Sequence, residues 1–172
     1  MKLAKLRTLA KSVQEIRLHE SKEGVQWLCM PGAYYPLYGL PRISSETELR
    51  PVLDISDKDW EDIRVYMGEI APYDTSDGGD LTEDPLDEDN ITIGWDGREL
   101  QILRDMEMRR FAVDVDYIAP VRDGAMMYAR RKKDGVIAVK HGYGIAALVV
   151  PYKVDCDLIG ELGTIARCLE QI

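Results

Sequence analysis

Residues 145–150 (IAALVV) are apolar without a break. A strand with one wet face needs a polar residue at every second position, and this run has none. It therefore fits a strand covered on both faces at the centre of a core, with residues 146–150 among the most buried. The text before it repeats strand and turn. Residues 111–113 read as the end of a strand. Val115, Tyr117, Ile118 and Val121 then recur at spacings of two to four over a short helix-like turn. From Ala125 onward the pattern is strand, turn, strand, turn, strand. Asp134-Gly135 is a tight-hairpin signal because both central positions of that turn favour positive φ, and His141-Gly142 offers a looser reversal.

This block sets the expected class: an α+β fold, one domain over residues 1–172, with an antiparallel sheet, a helix at each end of the chain and a short central helix. Hydrophobic content of 45% is enough for one packed core. No apolar run reaches the length of a membrane span, and the basic start is not followed by the apolar block of a secretory signal, which implies a cytoplasmic protein. Cys29, Cys156 and Cys168 have no metal-ligand spacing and read as small buried hydrophobes in a reducing compartment.

Residues 1–13 have Leu3, Leu6, Leu9, Ala10 and Val13 on one helical face. Lys2, Lys5, Arg7 and Lys11 are four of the chain's 22 basic residues, and no acid accompanies them, although the whole chain carries −9. Two readings follow: a solvated amphipathic helix, or a face aimed at phosphate. Residues 14–40 read as a three-stranded meander turning at Glu23-Gly24 and Pro31-Gly32. Tyr34, Tyr35 and Tyr38 within it read as packing or as a stacking platform. Ser44 or Ser45 would cap a short helix limited by Pro51, and Ser56 or Asp57 another around Trp60 and Ile63. Residues 64–67 form a possible strand.

Composition changes sharply at residues 71–90. Asp74, Asp77, Asp80, Glu83, Asp84, Asp87, Glu88 and Asp89 occur there without one Lys or Arg, and the expectation is a loop or mobile insertion. Such a block is a solvated linker or a contact for a basic partner. Residues 91–95, 100–103 and 109–113 are then short strands around an Asp96-Gly97 hairpin turn. Asp155 or Asp157 would cap a terminal helix with Leu158, Leu162, Ile165, Ala166 and Leu169 facing the sheet. Arg130, Arg131, Lys132 and Lys133 crowd four cations at the Asp134-Gly135 tip, where an anion would relieve their repulsion. The chain's own acidic stretch, a partner subunit or nucleic acid could supply it.

Catalytic signatures are lacking. His19 and His141 lie in strand text without a motif, and no Gly-rich phosphate loop, nucleophile elbow or HExxH occurs. Asp114 and Asp116 read as acids at the positive end of a short helix rather than a metal pair. The expectation is a non-enzymatic protein without a cofactor.

The order of elements resembles the DNA sliding clamp, or processivity factor, family. KLAKLRTLAKSVQEIRLHESKEGVQWLCM looks like a first half-domain of basic helix, strand, turn and strand. RRFAVDVDYIAPVRDGAMMYARRKKDGVIAVKHGYGIAALVVPYKV looks like the second half, closing on VVPYKV. The resemblance implies a clamp-like sheet with its helices on the DNA-facing side. It also implies self-association, and contacts from Lys2, Lys5, Arg7 and Lys11 to backbone phosphates or replication proteins. The style of the chain is also similar to phage and prophage accessory proteins. That suggests a second function: inhibition of a host nucleic-acid-binding protein through the acidic stretch, with Arg130 to Lys133 as a further contact.

Overall fold

The computed structural model describes residues 1–68, 73–75, 83–130 and 135–153. In chain order the elements are α1 (Leu3–Val13), β1 (Glu15–Glu20), β2 (Gln26–Met30), β3 (Ala33–Pro36), α2 (Glu46–Leu53), α3 (Asp57–Trp60) and β4 (Arg64–Met67). They continue as β5 (Glu83–Trp95), β6 (Arg98–Asp105), β7 (Arg110–Asp114), α4 (Val115–Ile118), β8 (Met126–Arg130), β9 (Ile137–His141) and β10 (Gly144–Val149). The ten strands among the described residues form one sheet in the order β4-β1-β2-β3-β10-β9-β8-β5-β6-β7. Every neighbouring pair is antiparallel except β1 with β4, which is parallel. The result is the expected α+β protein.

The apolar run takes the central place expected of it. β10 lies between β3 and β9, and Ala147, Leu148 and Val149 are fully buried. Ala146 and Val150 are only half-buried, a correction with local causes: the register shifts between Ile145 and Ala147, so the alternation breaks at Ala146, and Val150 lies just past the end of β10. One sheet face is covered by helices. Leu6, Leu9 and Ala10 of α1, Leu49 and Leu53 of α2, and Tyr117 and Ile118 of α4 join Ile16, Leu28, Leu103, Val113 and Val139 in one cluster. Full burial of each such Leu or Ile contributes roughly 1.5–3 kcal/mol. The other face holds a smaller cluster around Trp27, Cys29, Ala138 and Leu148.

Local signals explain the element ends. Asp96 and Gly97 both have positive φ, 48° and 74°, as the hairpin turn requires. The Asp114 carboxylate accepts from the Asp116 N–H at 2.9 Å and so caps α4. Ser56 caps α3 by accepting from the Asp59 N–H at 3.3 Å. α2 runs past Pro51 to Leu53, beyond the expected limit. Burial of Leu49 and Leu53 on one side of that helix outweighs the single backbone bond that proline removes.

The acidic stretch requires the largest correction. Residues 83–90 are strand, not loop: they form the first part of β5, which runs to Trp95 and pairs with both β6 and β8. Glu83 stands directly opposite Arg130, and Asp87 opposite Arg104, so cross-strand neighbours supply the cations that the local sequence lacks. The expected terminal helix, from Asp155 and Asp157 through Leu169, lies outside the described residues.

Candidate interaction surfaces

The four cations of α1 lie where the sequence puts them, away from the buried Leu6–Leu9–Ala10 stripe, and acids of the same chain meet three of them. Lys2 Nζ is 2.6 Å from Asp123, Arg7 pairs with Asp54, and Lys11 Nζ is 2.8 Å from Asp59. Lys5 is exposed. The hydrogen bond from Lys11 holds the Asp59 carboxyl below its ordinary range, and Lys2 does the same for Asp123. Lys2 also ties the two ends of the helical layer together, since its backbone N–H donates to the Pro120 carbonyl at 2.8 Å.

The acids of β5 are held differently. The Glu83 carboxylate bridges Arg130 Nε at 2.9 Å and Lys140 Nζ at 2.6 Å, with all three side chains only 10–11% exposed. A further Arg130 nitrogen donates to the Asp74 carbonyl at 2.6 Å. Asp84 meets Arg109 at 3.2 Å, Glu88 meets Arg122 at 2.7 Å, and Asp89 meets Arg104 and Arg110 at 3.1 and 3.0 Å. Asp87 is exposed. The structure thus brings Arg130 of the basic tip to the acidic stretch of its own chain. Asp77, Asp80, Arg131, Lys132 and Lys133 lie outside the described residues.

The tyrosines of the meander separate as alternation demands. Tyr35 is fully buried on the helix-covered side, and its hydroxyl donates to the Tyr117 carbonyl at 2.6 Å. Tyr34 points to the opposite face and packs edge-on against Tyr73, with ring centroids 5.1 Å apart. Tyr38 is 55% exposed.

Two groupings escaped sequence reasoning. On the face opposite the helices, Cys29 Sγ lies 2.9 Å from His19 Nδ1, both buried. Burial lowers the His19 pKa, so the ring is neutral at pH 7. Among the described residues Nε2 of that ring has no hydrogen-bond partner, and neither has the buried indole N–H of Trp27, directly across the β1–β2 ladder. The second grouping is a cavity of about 390 Å³ lined by Pro31, Gly32, Arg98, Tyr117, Val150, Pro151, Tyr152 and Lys153. Arg98 donates to the buried Asp114 carboxylate at 2.7 Å and sits 5.8 Å from the centre of the Tyr117 ring. Burial pushes the Tyr117 hydroxyl up to about 12. The one available signal was Pro31-Gly32, which reads as a turn; the other lining residues are scattered along the chain.

Among the described residues no group of three His, Cys, Asp or Glu side chains is placed to hold a metal ion. None of their helices is long and apolar enough to cross a membrane. Compared with protein-family models, curated proteins and solved structures, the chain finds no match.

Proposed function

We propose that this protein is a non-enzymatic accessory of DNA replication or repair, built like one sliding-clamp domain, which self-associates and contacts backbone phosphates or a DNA-processing protein. The observation that carries the reading is an internal repeat. α1 leads into β1-β2-β3, and α4 leads into β8-β9-β10, each a helix followed by a three-stranded meander. The meanders meet at β3 and β10, so the order β1-β2-β3-β10-β9-β8 is symmetrical about that seam. Both helices bury their apolar residues in the same core cluster, which supports the comparison with a clamp domain. At the ends of the sheet, β4 is an outermost strand among the described residues, whereas β7 is bridged on its outer side by Tyr152, so a copy would add at the β4 edge.

The charges of α1 are compatible with phosphate contact because their present partners are exchangeable. Lys2, Arg7 and Lys11 are each at least a third exposed and bind acids near the surface, where pairs are weak and screened by salt. Phosphates would replace those acids, giving sequence-independent binding that falls steeply with salt. The inhibitor reading has less support, since Glu83, Asp84, Glu88 and Asp89 would have to leave their own arginines before meeting a partner's cations.

Light scattering with DNA retention tests the proposal. The expected result is an oligomer that retains duplex DNA at low salt, with the slope of binding against salt reduced by about one in each of Lys5→Ala and Lys11→Ala. A strict monomer at high protein concentration with no DNA retention at low salt would overturn it. Capture of a basic nucleic-acid-binding protein by that monomer would move the function to the inhibitor class.

A further inference from the structure

We infer that the cavity between the Pro31-Gly32 turn, α4 and residues 150–153 is a binding site for a small aromatic anion, a planar ring bearing a phosphate or carboxylate. This is independent of any contact with DNA. In a chain of net charge −9, the described residues lining this cavity include two cations, Arg98 and Lys153, and no acid. The contrast with a second cavity is direct: among the described residues, that one, next to His19, is lined by Glu20, Glu23 and Asp74 against one cation, Lys22. Local charge therefore favours an anion at the first and disfavours it at the second.

The site has a built framework. Asp114 is 3% exposed at its side chain and, besides capping α4, holds Arg98 at 2.7 Å, so the guanidinium is fixed from behind while its own side chain remains 40% exposed. A planar guanidinium has five donors in a fixed fork, more than one carboxylate contact consumes, which leaves donors for a second oxyanion. Tyr117 gives the cavity a rigid wall. Its ring presses on Gly32 so closely that a Cβ there would lie 2.6 Å from it, and Gly32 has φ +91°, where side chains are strained. Tyr152 is fixed in turn by its backbone N–H, which donates to the Ala112 carbonyl at 2.8 Å. Pro31, Val150 and Pro151 complete an apolar boundary. Aromatic walls with a few convergent charges suit a flat, partly apolar ligand, and about 390 Å³ falls within the usual range for small-molecule pockets.

Isothermal titration with two probes distinguishes the possible anionic groups: adenosine 5′-monophosphate for phosphate, and 4-hydroxybenzoate for carboxylate. At least one probe should bind in the millimolar range or tighter. Adenosine, phenol or inorganic phosphate alone should bind about tenfold more weakly than the probe that combines ring and charge. Lys153→Met and Tyr152→Leu should each weaken that probe several-fold while leaving the melting temperature within a few degrees. Arg98→Gln should weaken it more but leaves Asp114 without its cation, so Arg98→Lys, which keeps that charge, serves as the folded control and should also lose affinity. If neither probe binds at 10 mM (about 2.7 kcal/mol of binding, by RT ln Kd), or if Lys153→Met and Arg98→Lys bind as the unaltered chain does, the inference fails.

Discussion

The ion pairs of α1 and those between β5, β8 and β9 join the same kinds of side chain in opposite surroundings. Lys2 and Asp123 are 54% and 73% exposed, whereas Glu83, Arg130 and Lys140 are each near 10%. Near water, each ion already has a good solvent, and the pair adds little. Between strands, each ion has lost most of its water, and the partners must replace it. The first kind can be exchanged for another anion; the second holds strands in register and is not available to a partner.

Glu83→Ala should give the largest break in that contrast. It removes the carboxylate that Arg130 and Lys140 share while Arg130 keeps the Asp74 carbonyl, and denaturant titration should register a loss of about 3 kcal/mol. A loss no larger than that of an α1 variant would remove the distinction. His19 sharpens the comparison by showing burial without an opposite charge. Its pKa is lowered in the folded state because burial disfavours the imidazolium. The unfolded chain therefore binds the proton more readily, so stability is fully present above about pH 6.5 and declines as pH falls toward the folded value, by at most about 1.4 kcal/mol per pH unit. His19→Leu should flatten that part of the pH profile between pH 7 and 5; an unchanged slope would assign the acid sensitivity elsewhere. Smallest of all, a double-mutant cycle on Arg7 and Asp54 should give a coupling of about 0.2–1 kcal/mol that fades in 1 M salt. Persistence of the coupling in high salt would place this pair with the buried ones.

The same contrast explains what the sequence could and could not reveal. Turns written in two adjacent residues were legible: Asp96-Gly97, Pro31-Gly32 and His141-Gly142 all reverse the chain between paired strands. Amphipathic α1 was legible because its face is encoded within thirteen residues. The strand at 83–90 was not, because its compensating cations come from Arg104, Arg109, Arg110, Arg122 and Arg130, all beyond any local window. A block of acids reads as a loop only if its partners are assumed to be nearby in sequence. The Arg98 cavity was hidden for a related reason, being assembled from four separated segments around α4. The cations of α1 and the acids of β5 were legible as residues, but their division into exchangeable and fixed pairs is a property of burial.

The junction of the two meanders has a consequence for how the chain reaches this state. β3 and β10 are joined through Tyr34 with Leu148 and Ala33 with Val149, extended by a bond from the Val150 N–H to the Gly32 carbonyl. These partners are far apart in the chain, while β1-β2-β3 and β8-β9-β10 are each made of neighbours. Local hairpins close quickly, and a distant seam must first meet the entropy of a long loop. The meanders should therefore acquire protection early and the seam last, which pulsed hydrogen exchange would reveal as late protection of the Leu148 and Val150 amides relative to those of β2 and β9. On this account the centre of the finished sheet is the last part of it to be made.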